Sequence, residues 1–314
     1  MMVCCQGMQG SGRNLLWSIE EDMPEFRFRQ FTVSNDRSAM KVNTDGVLLG
    51  AVMAVSPDDR HLLDVGTGTG TVALMAVQRL YQSLYGESGM PSSISRCSVK
   101  ADSSDDWNGV VREVSVEGMD IDAASAEEAA ENFASSPWGS VMKACHSSLA
   151  EFANTLQLSR AEEKYDLIFS NPPYFESSLK APDARRRAAR HADTLSYRDI
   201  VAFSSRWLAP CGRLAMILPA DIEMEAKRYA VSWDLYPFRM TRVRSTARRP
   251  VSRIVMEFAR SGASLSIFGG VRGTAVDRFA AGPGCPPAES VLTIMDKGGY
   301  SSEYRSLVSD FLLV

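Results

Sequence analysis

The sequence has no apolar run approaching the roughly 20 residues of a membrane span, and no basic start leading into an apolar stretch. Neither membrane insertion nor secretion is therefore expected, and a cytoplasmic location is the default. C-x-x-C pairs are also missing. The six cysteines, Cys4, Cys5, Cys97, Cys145, Cys211 and Cys285, are scattered, which argues against zinc ligation and against a disulfide framework. Histidine is scarce: His61, His146 and His191 are the three, far apart, so neither a Ser/His/Asp triad nor a metal constellation is indicated. A large excess of positive charge is absent too, with 34 Lys and Arg against 38 Asp and Glu. A partner such as nucleic acid would have to be met by a local patch. Two patches exist, Arg185, Arg186, Arg187 and Arg190, and then Arg242, Arg244, Arg248, Arg249 and Arg253.

What is present fits an ordinary globular chain of 314 residues, 45% hydrophobic and 23% charged. Residues 1 to about 24 show no period and are expected to be a flexible tail. Residues 25–314 are expected to form a single domain. It carries two mobile insertions, at 84–112 and 261–287, where the composition shifts to small and polar residues. Between them strands and helices alternate. "HLLDV" at 61–65 leads through a glycine turn into helical material, and strands follow at Val114–Met119, Val141–Cys145, Tyr165–Ser170 and Arg213–Leu218. Asp122 can cap a helix whose Ala126, Ala129, Ala130 and Phe133 share a face. This alternation implies an α/β fold around a mostly parallel sheet, with ligands at the carboxyl ends of the strands. After Trp233 two strand-like runs with no helix between them predict an antiparallel hairpin that finishes the sheet.

The turn "LLDVGTGTG" places Gly66, Gly68 and Gly70 where a strand yields to a helix, so that a ligand can approach the backbone and meet free N–H groups. It is not the dinucleotide pattern G-x-G-x-x-G, because the third glycine comes one residue early. Asp64, just before the turn, suits a ligand carrying positive charge, such as S-adenosylmethionine with its ammonium and sulfonium, better than a pyrophosphate. An acid closing the second strand is expected to hold ribose hydroxyls, normally about 20 residues after the glycines. Asp120, with Ile121 beside it, fits once the insertion is discounted; Asp122 and a plain helix cap are the alternatives.

"FSNPPYF", Phe169 to Phe175, ends the fourth strand. Pro172 and Pro173 stiffen the chain and hold Asn171 in one shape. The Asn171 side-chain oxygen and the Pro172 carbonyl can then accept both hydrogens of an exocyclic amino group, while Tyr174 stacks on the ring that bears it. The lone pair of such a nitrogen is delocalised into the ring, and hydrogen bonds to both N–H groups favour its becoming tetrahedral as it attacks. No ionisable base is required first. On its own residues, the chain is expected to be a methyltransferase acting on an exocyclic amino group, without a metal.

Together "LLDVGTGTG", "FSNPPY" and "FTVSNDRSAMKVNTDGVLLGA" resemble the bacterial valine tRNA adenine-N6 methyltransferases, which act on the adenine beside the anticodon, position 37. The resemblance runs from about Phe28 to the C-terminus. It implies a Rossmann-like class I S-adenosylmethionine-dependent methyltransferase with a mostly parallel seven-stranded sheet and an antiparallel C-terminal hairpin strand. It further implies tRNA as partner, S-adenosylhomocysteine as product, and no membrane or obligate protein partner. By the same resemblance Thr44 and Asp45 help to close the cofactor pocket and Lys41 meets phosphate. Asn43 stands where glycine is common, and is expected to tolerate a left-handed turn. Ser147 and Ser148 occupy the place of an acid that holds the cofactor adenine. The adenine is flipped out and stacked on Tyr174 and Phe175, and Arg185, Arg186, Arg187 and Arg190 meet the RNA backbone.

Glycine turn and NPPY are shared with DNA adenine, rRNA guanine and protein glutamine methyltransferases, so the N-terminal motif is what narrows the substrate. A glutamine methyltransferase would carry a separate N-terminal helical domain, for which the stretch before Asp64 is short. An inert RNA-binding scaffold would need none of Asp64, Asp120 and Asn171.

Overall fold

Four apolar runs become neighbours in one sheet because both of their faces are filled, and a fifth, more exposed, pairs on its edge. The protein is described by a computed structural model over residues 24–85, 114–159, 164–173, 195–268 and 276–312. After a short hairpin, β1 (Glu25–Arg27) and β2 (Thr32–Ser34), the chain forms α1 (Thr44–Val52), β3 (His61–Val65), α2 (Thr71–Tyr85), β4 (Ser115–Asp120) and α3 (Ala123–Ser135). There follow β5 (Met142–His146), α4 (Leu149–Ser159), β6 (Tyr165–Ser170), α5 (Tyr197–Trp207) and β7 (Leu208–Pro219). The last part is α6 (Glu223–Val231), β8 (Leu235–Thr246), β9 (Arg253–Arg260), β10 (Ser264–Phe268), β11 (Val276–Ala280), β12 (Ala288–Asp296), β13 (Gly299–Tyr300) and α7 (Ser302–Val308).

Successive strand residues point to opposite faces, and the core divides accordingly. Leu62, Leu167, Phe169, Ala215 and Ile217 join one buried cluster with residues of α1, α2 and α7. Their alternates Leu63, Val65, Ile168, Leu214 and Met216 join a second with residues of α4, α5 and α6. The sheet is thus the middle of three layers, and polar groups gather at its ends.

The sheet has nine strands, in the order β13-β12-β8-β9-β7-β6-β3-β4-β5. The expected seven are its body, parallel except for β9, which runs antiparallel to both β7 and β8. Two more are added by the C-terminal segment, β12 parallel to β8 and β13 antiparallel to β12. The stretch 261–287 is not wholly a featureless connection: β10 and β11 pair as an antiparallel hairpin within it. Its low-complexity composition hides an apolar seam, Ala263, Leu265 and Ala281, that packs with Phe238, Ala259 and Ala54. Much of the first expected insertion, from 86 to 112, lies outside the described residues, as does the N-terminal tail up to residue 23.

Because β8 and β12 run in the same sense as β3, β4, β6 and β7, the carboxyl ends of all of them share one edge. That edge carries the glycine turn, Asp120 and Asn171.

Candidate active site

The turn after β3 is left-handed at each glycine, with φ of 73° at Gly66, 55° at Gly68 and 81° at Gly70. At Gly70 the requirement is double, since a Cβ there would also come within 2.5 Å of the Phe133 ring, which α3 presses against the turn. The Gly66 and Thr67 amides donate to the Met119 carbonyl at the end of β4, both at 2.9 Å. The Gly68 amide donates to Asp120 Oδ2 at 2.9 Å, and the Asp122 amide to Asp120 Oδ1 at 2.9 Å. One carboxylate therefore ties the ligand-facing loop to the neighbouring strand end. Burial is the largest influence on Asp120 and pushes its pKa up, against the pull of these amides. Asp122 is the helix cap: its carboxylate accepts the Ser125 amide at the start of α3.

Asp64 is buried beneath the turn and accepts a hydrogen bond from Thr67 Oγ1 at 2.9 Å. Loss of solvent raises its pKa to about 7, the Thr67 hydroxyl opposes the shift, and the nearby Asp120 carboxylate adds to it. A buried carboxyl held at the edge of ionisation is suited to a cation arriving beside it.

Asn171 stands next along the edge, at the end of β6. Ser170 Oγ donates to the Val65 carbonyl at 2.6 Å, locking the end of β6 to the end of β3. Asn171, Asp64, Gly66 and Gly68 line one cavity of about 30 Å³, together with Met40 and Asn43.

Met40 and Asn43 come from the N-terminal motif, which is held over the site from a distance in sequence. Phe28 and Phe31 stack at 4.4 Å, and Phe31 meets buried Trp138 edge-on at 6.1 Å. Asn132 on α3 accepts from the Ser34 amide and donates to the Ser34 and Thr69 carbonyls. The fully buried Glu128 carboxylate accepts the backbone amides of Asp36, Arg37 and Ser38 at 2.8 to 2.9 Å. Charge-assisted bonds of this kind contribute roughly 1.5–3 kcal/mol each, so three of them fix the loop. Met40 then lies between the two motifs: Asn171 Nδ2 is 3.8 Å from its sulfur, and its carbonyl approaches Gly68.

Residues 51–244 match the family model of the RMKL-like methyltransferase domain. The tRNA1(Val) (adenine(37)-N6)-methyltransferase of Bacteroides fragilis is 36% identical over 290 residues, 92% of this chain and 98% of that one. The enzyme of the same name from Christiangramia forsetii is 32% identical over 92% of this chain and 97% of its own length. The chain belongs to this methyltransferase family. A solved structure described as a predicted O-methyltransferase, from Agrobacterium tumefaciens, aligns over 85% of this chain and 96% of its own with a TM-score of 0.53 at 12% identity, a likeness of fold.

Several residues of this methyltransferase stand differently from their sequence-based expectation. Lys41 Nζ donates to the Asn35 carbonyl at 2.7 Å and to that of Asp36, so the ammonium stitches its own loop together. Asn43 is not left-handed: at φ −140° and ψ 167° it is extended, and its side chain accepts the Gly46 amide as the N-cap of α1. That bond offers Asn43 a role that the left-handed expectation did not foresee. Thr44 opens α1 and Asp45 pairs with Arg253 Nε at 2.8 Å, joining α1 to the start of β9 beside the cavity, which neither lines.

Ser148 and Glu151 form a reciprocal cap at the start of α4, each binding the other's amide. Ile121 is 49% exposed and its carbonyl meets His146 Nε2 at 3.0 Å. Tyr174, Phe175, Arg185, Arg186, Arg187 and Arg190, with His191, lie outside the described residues. What sequence reasoning missed is the supporting set, Met40, Thr67, Glu128 and Asn132. Met40 and Thr67 lie in motifs that were singled out, whereas Glu128 and Asn132 sit on α3.

Proposed function

We propose that the protein methylates the N6 amino group of adenine 37 in a tRNA, valine tRNA by likeness to its named relatives, in the cytoplasm and with S-adenosylmethionine as methyl donor. The observation that carries the reading is the meeting of Asn171 with the glycine turn across the Ser170–Val65 bond, under an N-terminal motif anchored by Glu128. The residues at hand fit the donor: a buried carboxyl beneath a turn of left-handed glycines, and a second carboxylate at the next strand end.

Asp64 would hold a cationic group, the amides of Gly66 to Gly70 would face the amino-acid portion, and Asp120 would take the ribose hydroxyls. When bound, the donor supplies an electrophilic methyl group on sulfur. Asn171 Oδ1 and the Pro172 carbonyl accept the two N–H groups of the adenine, orient the nitrogen, and favour the loss of its conjugation with the ring as the N–C bond forms. The spare proton leaves to water once the nitrogen is positively charged, so no general base is needed. Stacking of the base on Tyr174 and Phe175 and backbone contacts from the Arg185–Arg190 cluster belong to the same proposal.

The test is transfer of labelled methyl to total RNA from a strain lacking the activity, read by nucleoside mass spectrometry. N6-methyladenosine confined to one tRNA is expected. Label appearing only in protein or DNA would move the substrate to another NPPY class.

The site also predicts a pH dependence. With no ligand the Asp64 pKa of about 7 lies above its unfolded value of 3.8. Its protonated form is favoured by folding, and the stability this represents is lost as pH rises between those values. A cation reverses the preference. Binding of S-adenosylmethionine below pH 7 must expel a proton, so affinity should rise by up to about tenfold per pH unit toward 7 and level off above it. Isothermal titration in buffers of different ionisation enthalpy measures the released proton. Asp64→Asn should weaken binding and flatten the profile, and a wild-type profile already flat from pH 5 to 8 would contradict the assignment.

A further inference from the structure

The catalytic edge is electrically lopsided. At the β4–β5 end stand Asp120, with exposed Asp122 and Glu151 near it. At the other end, the turn 247–252 joining β8 to β9 carries Arg248 and Arg249, both exposed. Neither guanidinium has an ion-pair or hydrogen-bond partner among the described residues. The other arginines of this run are engaged: Arg242 with Glu223 and Glu289, Arg253 with Asp45, and Arg244 with the Thr293 hydroxyl. Beside the turn, Lys297 is exposed at the tip between β12 and β13. Asp221 and Asp296 are exposed acids on this stretch, as is Glu225 at the start of α6, which pairs with Arg198, and Arg244, Arg248, Arg249 and Lys297 outnumber them.

Position decides what this arrangement can do. Adjacent strands are about 4.8 Å apart, and β7 and β9 separate β6 from β8. The arginine turn therefore stands ~10–14 Å along the edge from Asn171. That is within the span of a few nucleotides on either side of a flipped base. A polyanion whose base enters over Asn171 is repelled from the β4–β5 end and drawn toward β8. We propose that the β8–β9 turn, with Arg248 and Arg249 at its tip and Lys297 alongside, is the docking ridge for the sugar–phosphate backbone of the RNA substrate. This rests on the reading of the substrate as tRNA. The ridge contacts phosphate and not bases, so it positions the RNA while Asn171 and its neighbours read the adenine.

The full chain carrying Arg248→Glu and Arg249→Glu tests the ridge against wild type. Three quantities are read: tRNA affinity across a salt series, S-adenosylhomocysteine affinity, and steady-state methylation. Affinity for tRNA should fall on the order of tenfold or more at about 0.1 M salt, and the slope of log affinity against log salt should shrink by about 1 to 2. KM for tRNA should rise with kcat kept, because backbone docking acts before the chemical step. Cofactor affinity should be unchanged, which reports a folded site, and Arg248→Lys with Arg249→Lys should restore the salt slope. Weaker binding with an unaltered slope would mark a structural effect and overturn the ridge. So would a charge-reversed enzyme that binds and methylates tRNA as wild type does. A wild-type enzyme that leaves tRNA unmethylated would instead overturn the substrate reading from which the ridge follows.

Discussion

Asn171→Ala transfers methyl about a hundred to a thousand times more slowly than the parent, while tRNA and S-adenosylhomocysteine bind nearly as before. The magnitude is that of removing one preorganised hydrogen-bonding group from a reacting centre. It falls on kcat because the Asn171 oxygen matters most when the adenine nitrogen is losing its conjugation, not when the base first binds. The fold should survive. Asn171 is the residue just after β6, it is only partly buried, and the tie from Ser170 to Val65 is left in place. Single-turnover methylation with saturating tRNA makes the measurement, and an undiminished rate would remove Asn171 from the chemistry.

Asp120→Ala should weaken S-adenosylhomocysteine binding by about a hundredfold. Two losses combine. Hydrogen bonds from ribose hydroxyls to a carboxylate are worth roughly 1.5–3 kcal/mol each, and every 1.4 kcal/mol is about tenfold in affinity. The same carboxylate also holds Gly68 and Asp122 by their amides, so its removal loosens the turn that faces the ligand. Asp122→Ala is the discriminating partner. It removes the cap of α3 and should change cofactor affinity little, at a stability cost of about 1 kcal/mol. Equal losses of affinity in the two variants would give the ribose role to the wrong carboxylate.

The positions behind both predictions were legible in part from the chain alone. Asp122 could be read as a cap and Asp120 as a strand-end acid because each depends on residues within a few positions, and the structure has Asp122 capping α3 and Asp120 ending β4. The β6 strand and its NPP terminus were legible for the same reason, an apolar run stopped by prolines. The segment 261–287 was not, because β10 and β11 are stabilised by packing against Phe238 and Ala54, and composition alone carries no trace of those partners. Lys41 was read as meeting a ligand phosphate, yet it caps two carbonyls of its own loop, since no pattern reveals where a flexible ammonium finds its nearest oxygens.

By itself the sequence determined the order of the central strands and helices, the glycine turn, the amide-proline-aromatic motif, and the class of reaction. All of these are written in local periodicity and in backbone constraints that act over a handful of residues. Tertiary structure alone decided the rest. Burial under the turn brings Asp64 to the edge of ionisation. Glu128 reaches some 90 positions back along the chain to hold the loop that carries Met40 over the site. The antiparallel insertion of β9 returns β8 to the sense of β3, and so sets Arg248 and Arg249 on the edge that carries Asn171. Desolvation, long-range hydrogen bonds and strand direction depend on which distant segments meet, and that is fixed only when the sheet closes its two cores.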